Sequence, residues 1–241
     1  MNNRYELIYE GKAKKVFSYD SDKVIIEFKD DATAFNALKT AKFEGKGKLN
    51  CLISAKIFEY LIKNDIPTHF IELESKNKMI AKKINVIPLE IVLRNTAYGS
   101  LCKQTTIKSG IDLPKPLIDI YFKNDELNDP LLTKDRIELM NILSSKELDL
   151  IIDLTLKINE ILKRFFKKIQ LKLVDFKLEF GYDSKNKILL GDEISPDNCR
   201  LWDLTQKNDT IVSLDKDIFR NDLGGLIEAY SEINRRINNF I

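Results

Sequence analysis

Apolar and polar positions change their period several times along the chain. In the N-terminal part ELIYE, AKKVFSY and KVIIEFKD are short and rich in β-branched and aromatic residues. Gly11 and the Asp20-Ser21-Asp22 cluster separate them, which predicts a meander or hairpin pair of strands. From Leu49 the period becomes helical: Leu49, Leu52, Ile53, Ile57, Tyr60 and Leu61 recur at i, i+3 and i+4, and the helix should stop before Pro67. HFIELES and KMIAKKI, joined by Lys76-Asn77, read as a further hairpin. The first ~85 residues therefore read as an antiparallel sheet with one helix.

The remainder mixes both periods. Its longest helix is expected over 146–169, where Ile151, Leu154, Ile158, Ile161, Leu162, Phe165 and Ile169 form one stripe wide enough to pack on a sheet. LKLVDFKLEFG follows as a strand, KILLGDE as its hairpin partner, and helix returns after Gly224-Gly225. There is neither an internal repeat nor a Ser/Pro/Gly-rich linker, so a lobe boundary has to be a short hinge, expected near Lys83–Val86.

Composition narrows the class. The chain has 241 residues, 44% hydrophobic and 32% charged, with 39 basic and 37 acidic side chains and a net charge of +2. That balance describes a globular protein and argues against nucleic-acid binding through bulk positive charge. No apolar run approaches the ~20 residues of a membrane helix, and MNNRYELIYEGKAKK contains no secretory core, so no membrane partner is expected. Cys51, Cys102 and Cys199 are odd in number and far apart, which suggests a reduced, cytoplasmic protein without a zinc site. His69, the single histidine, reads as a surface or strand-edge residue rather than a ligand. The charge is unevenly spread: residues 1–84 hold 16 basic and 12 acidic residues, the rest 23 and 25.

Four segments carry candidate chemistry. In the strand at 173–180, alternation sends Val174, Phe176, Leu178 and Phe180 to one face and Asp175, Lys177 and Glu179 to the other. With the loop centred between Lys185 and Asn186, Glu179 is expected opposite Asp192. Two facing carboxylates repel unless a cation lies between them, and oxygen ligands suit magnesium; the alternative is a solvated strand face paired with lysines. GDEISPDNCRLWD is a strand end, a turn and Arg200, dense in both charges, and reads either as a functional loop or as a capped turn. YEGKAKKVF places Gly11 between two strands, followed by Lys12 and Lys14. Such a hairpin can lay backbone N–H groups over phosphates, or be an ordinary turn, since neither G-x-G-x-x-G nor G-K-[ST] is present. PLEIVLRNTAYGS offers Arg94 and a loop ending Gly99-Ser100, a set of groups that commonly binds phosphate.

Taken in order, EGKAKKVF, DDATAFN, KGKLNCLIS, IPLEIVLRNTAYGS, LVDFKLEFG, LGDEISPDNCRLWD and FRNDLGGLIEAY resemble the SAICAR synthetase family of purine biosynthesis, from Tyr5 to Tyr230. Tyr98 departs from the small residues more usual there, and AFNALKT matches loosely. The resemblance implies an α+β, two-lobed fold related to kinase-like and ATP-grasp proteins: an antiparallel N-terminal lobe over 1–84 and a larger mixed lobe over 85–241. It implies a homodimer and an ATP-dependent ligase that joins a carboxylated aminoimidazole ribonucleotide (CAIR) to L-aspartate through an acyl phosphate, with ATP and Mg²⁺ as cofactors. By position, Gly11, Lys12, Ala13 and Lys14 would cover the ATP phosphates, and the hinge with Lys82 and Ile84 would hold adenine. Glu179 and Asp192 would bind the metal, and Lys177 would reach the reacting carboxylate or phosphoryl group. Arg94, Ser100 and Arg200 would hold the ribonucleotide phosphate, while Lys123, Asp129 and Arg220 would contact nucleotide, ribose or aspartate. Two other classes stay in view. A small-molecule or protein kinase lacks support because H-R-D and D-F-G are absent. An RNA-binding module would use the lysine clusters at 12–15 and 163–168, the latter expected on a solvated helix face.

Overall fold

The computed structural model describes residues 5–34, 38–205 and 211–240. Phe35 and Asn36 of the DDATAFN segment lie outside them. Strands β1 (Leu7–Glu10), β2 (Lys14–Ser18) and β3 (Lys23–Phe28) form the expected antiparallel meander. A two-stranded ribbon, β4 (Asp31–Ala34) and β5 (Lys39–Lys42), precedes helix α1 (Lys46–Ile62) and is absent from the sequence reading because its apolar positions are only alanines, without the bulky apolar residues, β-branched or aromatic, that mark a strand. The hairpin β6 (Phe70–Ser75) and β7 (Lys78–Lys82) then returns to the first sheet. Here β7 inserts beside β3, giving the order β1-β2-β3-β7-β6.

Helix α1 covers one face of that sheet with Ile53, Ile57, Phe58 and Leu61. Its first turn needs glycine twice. Gly45 takes φ 84°, and a Cβ on Gly47 would lie 2.5 Å from the Phe28 carbonyl oxygen. After Ile62 the left-handed Asp65 (φ 58°) ends the helical path ahead of Pro67, as expected.

The second half begins with the short β8 (Asn85–Val86), β9 (Leu89–Thr96), α2 (Ser100–Gln104) and the long β10 (Asp112–Phe122). Then come α3 (Lys134–Leu139), α4 (Ser145–Lys168), β11 (Leu171–Leu178), β12 (Phe180–Tyr182), β13 (Ile188–Leu190), β14 (Cys199–Asp203), α5 (Asp217–Arg220) and α6 (Leu226–Phe240). A four-stranded antiparallel sheet has the order β10-β9-β11-β14, and a three-stranded one the order β13-β12-β8. Helix α4 starts at a capping box between Ser144 and Glu147, whose other oxygen accepts the Tyr182 hydroxyl at 2.7 Å. Its stripe packs on β11 while Lys163, Arg164, Lys167 and Lys168 face solvent, as the sequence reading required.

Two sequence expectations need correction. The run LKLVDFKLEFG is not one strand: it breaks at Glu179, so β11 and β12 belong to different sheets. The hairpin register is also one residue off. The Asp183 carboxylate accepts the N–H groups of Lys185 and Lys187, each at 2.9 Å, and Asn186 is left-handed, which centres the loop on Lys185. Phe180 therefore faces Leu190, and Glu179 meets Gly191, whose N–H it accepts at 2.9 Å. Asp192 lies beyond the ladder with φ 56°, which returns its carboxylate toward Lys177.

One hydrophobic cluster runs from Val24 and Phe28 through α1 and α4 to Ile233 and Ile237 of α6, joining both sides of the hinge. Among the described residues no helix is long and apolar enough to cross a membrane.

Candidate active site

The charged face of β11 turns toward a cleft, not toward bulk water. Asp175 and Glu179 are buried, although Val174, Phe176 and Leu178 on the opposite face are also core. Lys177 sits between them and is half-buried. Its ammonium donates to Glu179 Oε1 at 2.6 Å and Glu90 Oε1 at 2.8 Å, with Asp192 Oδ2 3.8 Å away. Lys123 Nζ donates to Glu179 Oε2 at 2.6 Å. Lys14 comes down from the β1–β2 hairpin to pair with Asp192 and, at 2.8 Å, with Glu193 Oε1. Three ammonium groups thus interleave four carboxylates. Burial works against the charges of Asp192, Lys14 and Lys177, yet their oppositely charged neighbours prevail: Asp192 is held well below the ordinary carboxylate range, and Lys14 and Lys177 well above the ordinary lysine value.

Three adjoining cavities meet at this cluster. The first, of about 800 Å³, is lined by Gly11, Lys12, Ala13, Lys14, Lys123 and Asp129, with Lys177, Glu179 and Asp192 as its floor. Lys12 pairs across its mouth with Asp125 at 2.8 Å. The second, of about 280 Å³, has apolar walls from Val16, Val24, Ile26, Ile84, Val86 and Phe180, with Lys82 at its edge. The third, of about 450 Å³, is lined by Arg94, Ser100, Asp129, Lys177, Arg200 and Arg220. Every site residue implied by the family resemblance therefore lines one of three neighbouring spaces.

The third cavity has a rigid wall. Arg94 on β9 is buried and donates through Nε to Asp119 at 2.7 Å, through Nη2 to Ser100 Oγ at 2.9 Å, and through Nη1 to Asp175 at 3.4 Å. Arg200 on β14 donates from Nη1 to the same Asp175 oxygen at 2.7 Å and from Nε to Asp217 at 2.8 Å. Arg220 pairs with the other oxygen of Asp217 at 2.5 Å. Burial raises Asp175 above its ordinary value despite the two arginines. Asp129, left-handed at φ 45°, accepts the Asn124 N–H at 2.8 Å.

Glutamate 90 and the Lys216–Asp197–Lys46 group were missed by sequence reasoning. Glu90 was findable, since period two from Arg94 sends Val92 and Glu90 to the same face of β9. Lys46 is fully buried and reaches Asp197 Oδ2 at 2.6 Å, while Lys216 approaches the same oxygen at 3.9 Å. No local pattern signals contacts between residues so distant in the chain. His69 corrects the surface reading: it is 2% exposed, edge-on to Phe58, beside the apolar cavity, and burial pushes its imidazole down to about 4.

Among the described residues no three His, Cys, Asp or Glu side chains gather into a ready-made metal cage. Glu179 and Asp192 nonetheless present hard oxygen donors on one cavity floor. One or two carboxylates are what magnesium takes from protein when phosphates complete its shell. The donor set fits that ion.

Comparison with known proteins follows the same outline. The family model described as SAICAR synthetase matches residues 7–237. The phosphoribosylaminoimidazole-succinocarboxamide synthase of Prochlorococcus marinus subsp. pastoris is 75% identical, with 100% of each chain covered. Among solved structures, a SAICAR synthetase in complex with ADP superposes with a TM-score of 0.92 at 49% identity, covering 96% of this chain and 97% of that one. The phosphoribosylaminoimidazole-succinocarboxamide synthase of Ehrlichia chaffeensis gives a TM-score of 0.92 at 45% identity, covering 97% and 98%.

Proposed function

Because this chain belongs to the SAICAR synthetase family, we propose that its three cavities divide the work of one ATP-dependent ligation. The protein is a carbon–nitrogen ligase of purine biosynthesis that joins CAIR to L-aspartate. A carboxylate is a poor electrophile, so it is first phosphorylated by ATP, and the aspartate amine then displaces phosphate from the acyl phosphate. Phosphoryl transfer asks for positioning and charge neutralisation more than for a covalent residue.

In this reading the apolar cavity takes adenine. The N–H groups of Lys82 and Lys83 already donate to the His69 and Asp22 carbonyl oxygens, which leaves the Ile84 N–H as the hinge donor. The Gly11-Lys12-Ala13 turn covers the phosphates, and Lys14 and Lys123 neutralise them. Glu179 and Asp192 would hold magnesium, which would supply charge neutralisation for the phosphates. Arg94, Ser100 and Arg200 receive the ribonucleotide phosphate, with Arg220 and Asp129 along the same cavity. Lys177 lines both the nucleotide and the ribonucleotide cavities, and this single observation carries the assignment: its ammonium stands where phosphoryl donor and acceptor would meet. Residues 1–84 serve as the nucleotide-covering lobe and 85–241 as the substrate lobe. Free Cys51, Cys102 and Cys199 accord with a cytoplasmic protein, and the family resemblance with a homodimer.

A coupled ADP-release assay with each substrate omitted in turn tests the reading. ADP should appear only when ATP, CAIR and L-aspartate are all present. Full-rate release without aspartate would make the protein a kinase of related fold.

A further inference from the structure

One aromatic contact outside the residues assigned above bears on the substrate cavity. Tyr98 lies in the loop between β9 and α2. Its ring stands edge-on to Trp202 of β14, with centroids 5.4 Å apart and planes at 81°, and lies 5.3 Å from the guanidinium carbon of Arg200. Trp202 is in turn covered by the Lys172 ammonium at 5.4 Å, so the aromatic pair is anchored to β11 and β14 at once. Arg200 also rests against the next residue: Gly99 takes φ +62°, and a Cβ there would lie 2.9 Å from Nη2.

These contacts complement the hydrogen bonds of Arg200. Its bonds to Asp175 and Asp217 run from Nη1 and Nε, and among the described residues they leave Nη2, the nitrogen beside Gly99, without a hydrogen-bond partner. The Tyr98 ring, 5.3 Å from the guanidinium carbon, opposes a swing of that end, because a cation is attracted to an aromatic face and loses that attraction when it moves away. We propose that Tyr98 is a positioning residue, whose ring and the adjacent Gly99 backbone hold the Arg200 guanidinium in one orientation toward the substrate cavity. The consequence for function rests on the reading that Arg200 receives the ribonucleotide phosphate.

The test uses the full-length enzyme and three variants. In Tyr98→Leu, which keeps bulk but has no aromatic face, the Arg200 Nε–H resonance of the substrate-free protein should lose its ring-current displacement. KM for CAIR should rise about fivefold, the size expected from one cation–π contact, with kcat and KM for ATP unchanged. Tyr98→Phe should restore both readouts. Arg200→Lys should raise KM for CAIR by itself. If Arg200→Lys does so and Tyr98→Leu leaves both the resonance and KM as in the parent, the positioning role is overturned and the site reading stands. If Arg200→Lys leaves KM for CAIR unchanged, the site reading falls and the inference with it.

Discussion

An ammonium that touches two carboxylates and lies close to a third cannot be removed quietly. Lys177 is held in its charged form because Glu179, Asp192 and Glu90 outweigh the cost of its burial. Lys177→Met should leave KM for ATP within about twofold and lower kcat by roughly 10²–10³-fold, the range for removing one preorganised electrostatic contact. Steady-state kinetics separate the two effects, and a change in KM alone would make Lys177 a binding residue only. Glu179→Ala and Asp192→Ala should each abolish turnover while the far-UV spectrum stays native, because each would leave the proposed magnesium site one ligand short. Near-normal activity in both would remove the metal assignment. Much of this cluster was legible from alternation, which placed Lys177 and Glu179 on one face. What alternation could not supply was the partner set, since Lys14, Lys123 and Glu90 reach Glu179, Asp192 and Lys177 from other elements.

At the level of elements, the hairpin after Glu179 shows how a small local force sets a large consequence. A loop centred half a residue differently puts Glu179 opposite Gly191 instead of Asp192, and the Asp183 carboxylate decides between them by capping two backbone N–H groups. Asn186 in the left-handed region is a signal the sequence carries, but its position within the loop is fixed only by those bonds. The start of α1 is set by contact of a different kind. Gly47→Ala would press a methyl group against the backbone of Phe28 and Lys29, where the nearest atoms lie 2.5 to 2.9 Å from the new Cβ. Backbone cannot rotate aside as a flexible side chain does, so the substitution should destabilise the fold by about 1–3 kcal/mol, read as a lowered urea midpoint with an unchanged slope. An unchanged midpoint would show that α1 can shift away from β3 without loss.

Across the whole molecule the core is continuous, with α1 and α6 packed together and Val24 in the same cluster as Ile237. The chain should therefore unfold in one transition, and its pH dependence should report buried groups wherever they lie. Asp215 is fully buried, accepts the N–H groups of Leu201 and Asp217 at 2.8 Å and the Ser213 hydroxyl at 2.6 Å, and is pushed up to about 7 by burial and the nearby Asp217 charge. Protonated, it remains satisfied, because its O–H can donate to the Ser213 oxygen once that hydroxyl turns to accept. Below about pH 7 the folded state binds this proton, whereas the unfolded chain does not until near the ordinary aspartate value of 3.8. Stability from this group is therefore fully present below the unfolded value and is lost as pH rises through 7, at up to about 1.4 kcal/mol per pH unit. His69 acts in the opposite sense: buried and neutral, it takes up a proton only on unfolding between about 6.5 and 4, so its contribution weakens as pH falls. The two slopes oppose each other in the parent between pH 4.5 and 6.5. Asp215→Asn cannot ionise, and any cost of its amide facing the Leu201 N–H is the same at every pH. Relative to the parent, the variant should gain stability steadily as pH rises from 4.5 to 7, measured as the difference in urea unfolding free energy at each pH. A constant difference across that range would mean that Asp215 ionises at its ordinary value in spite of its burial.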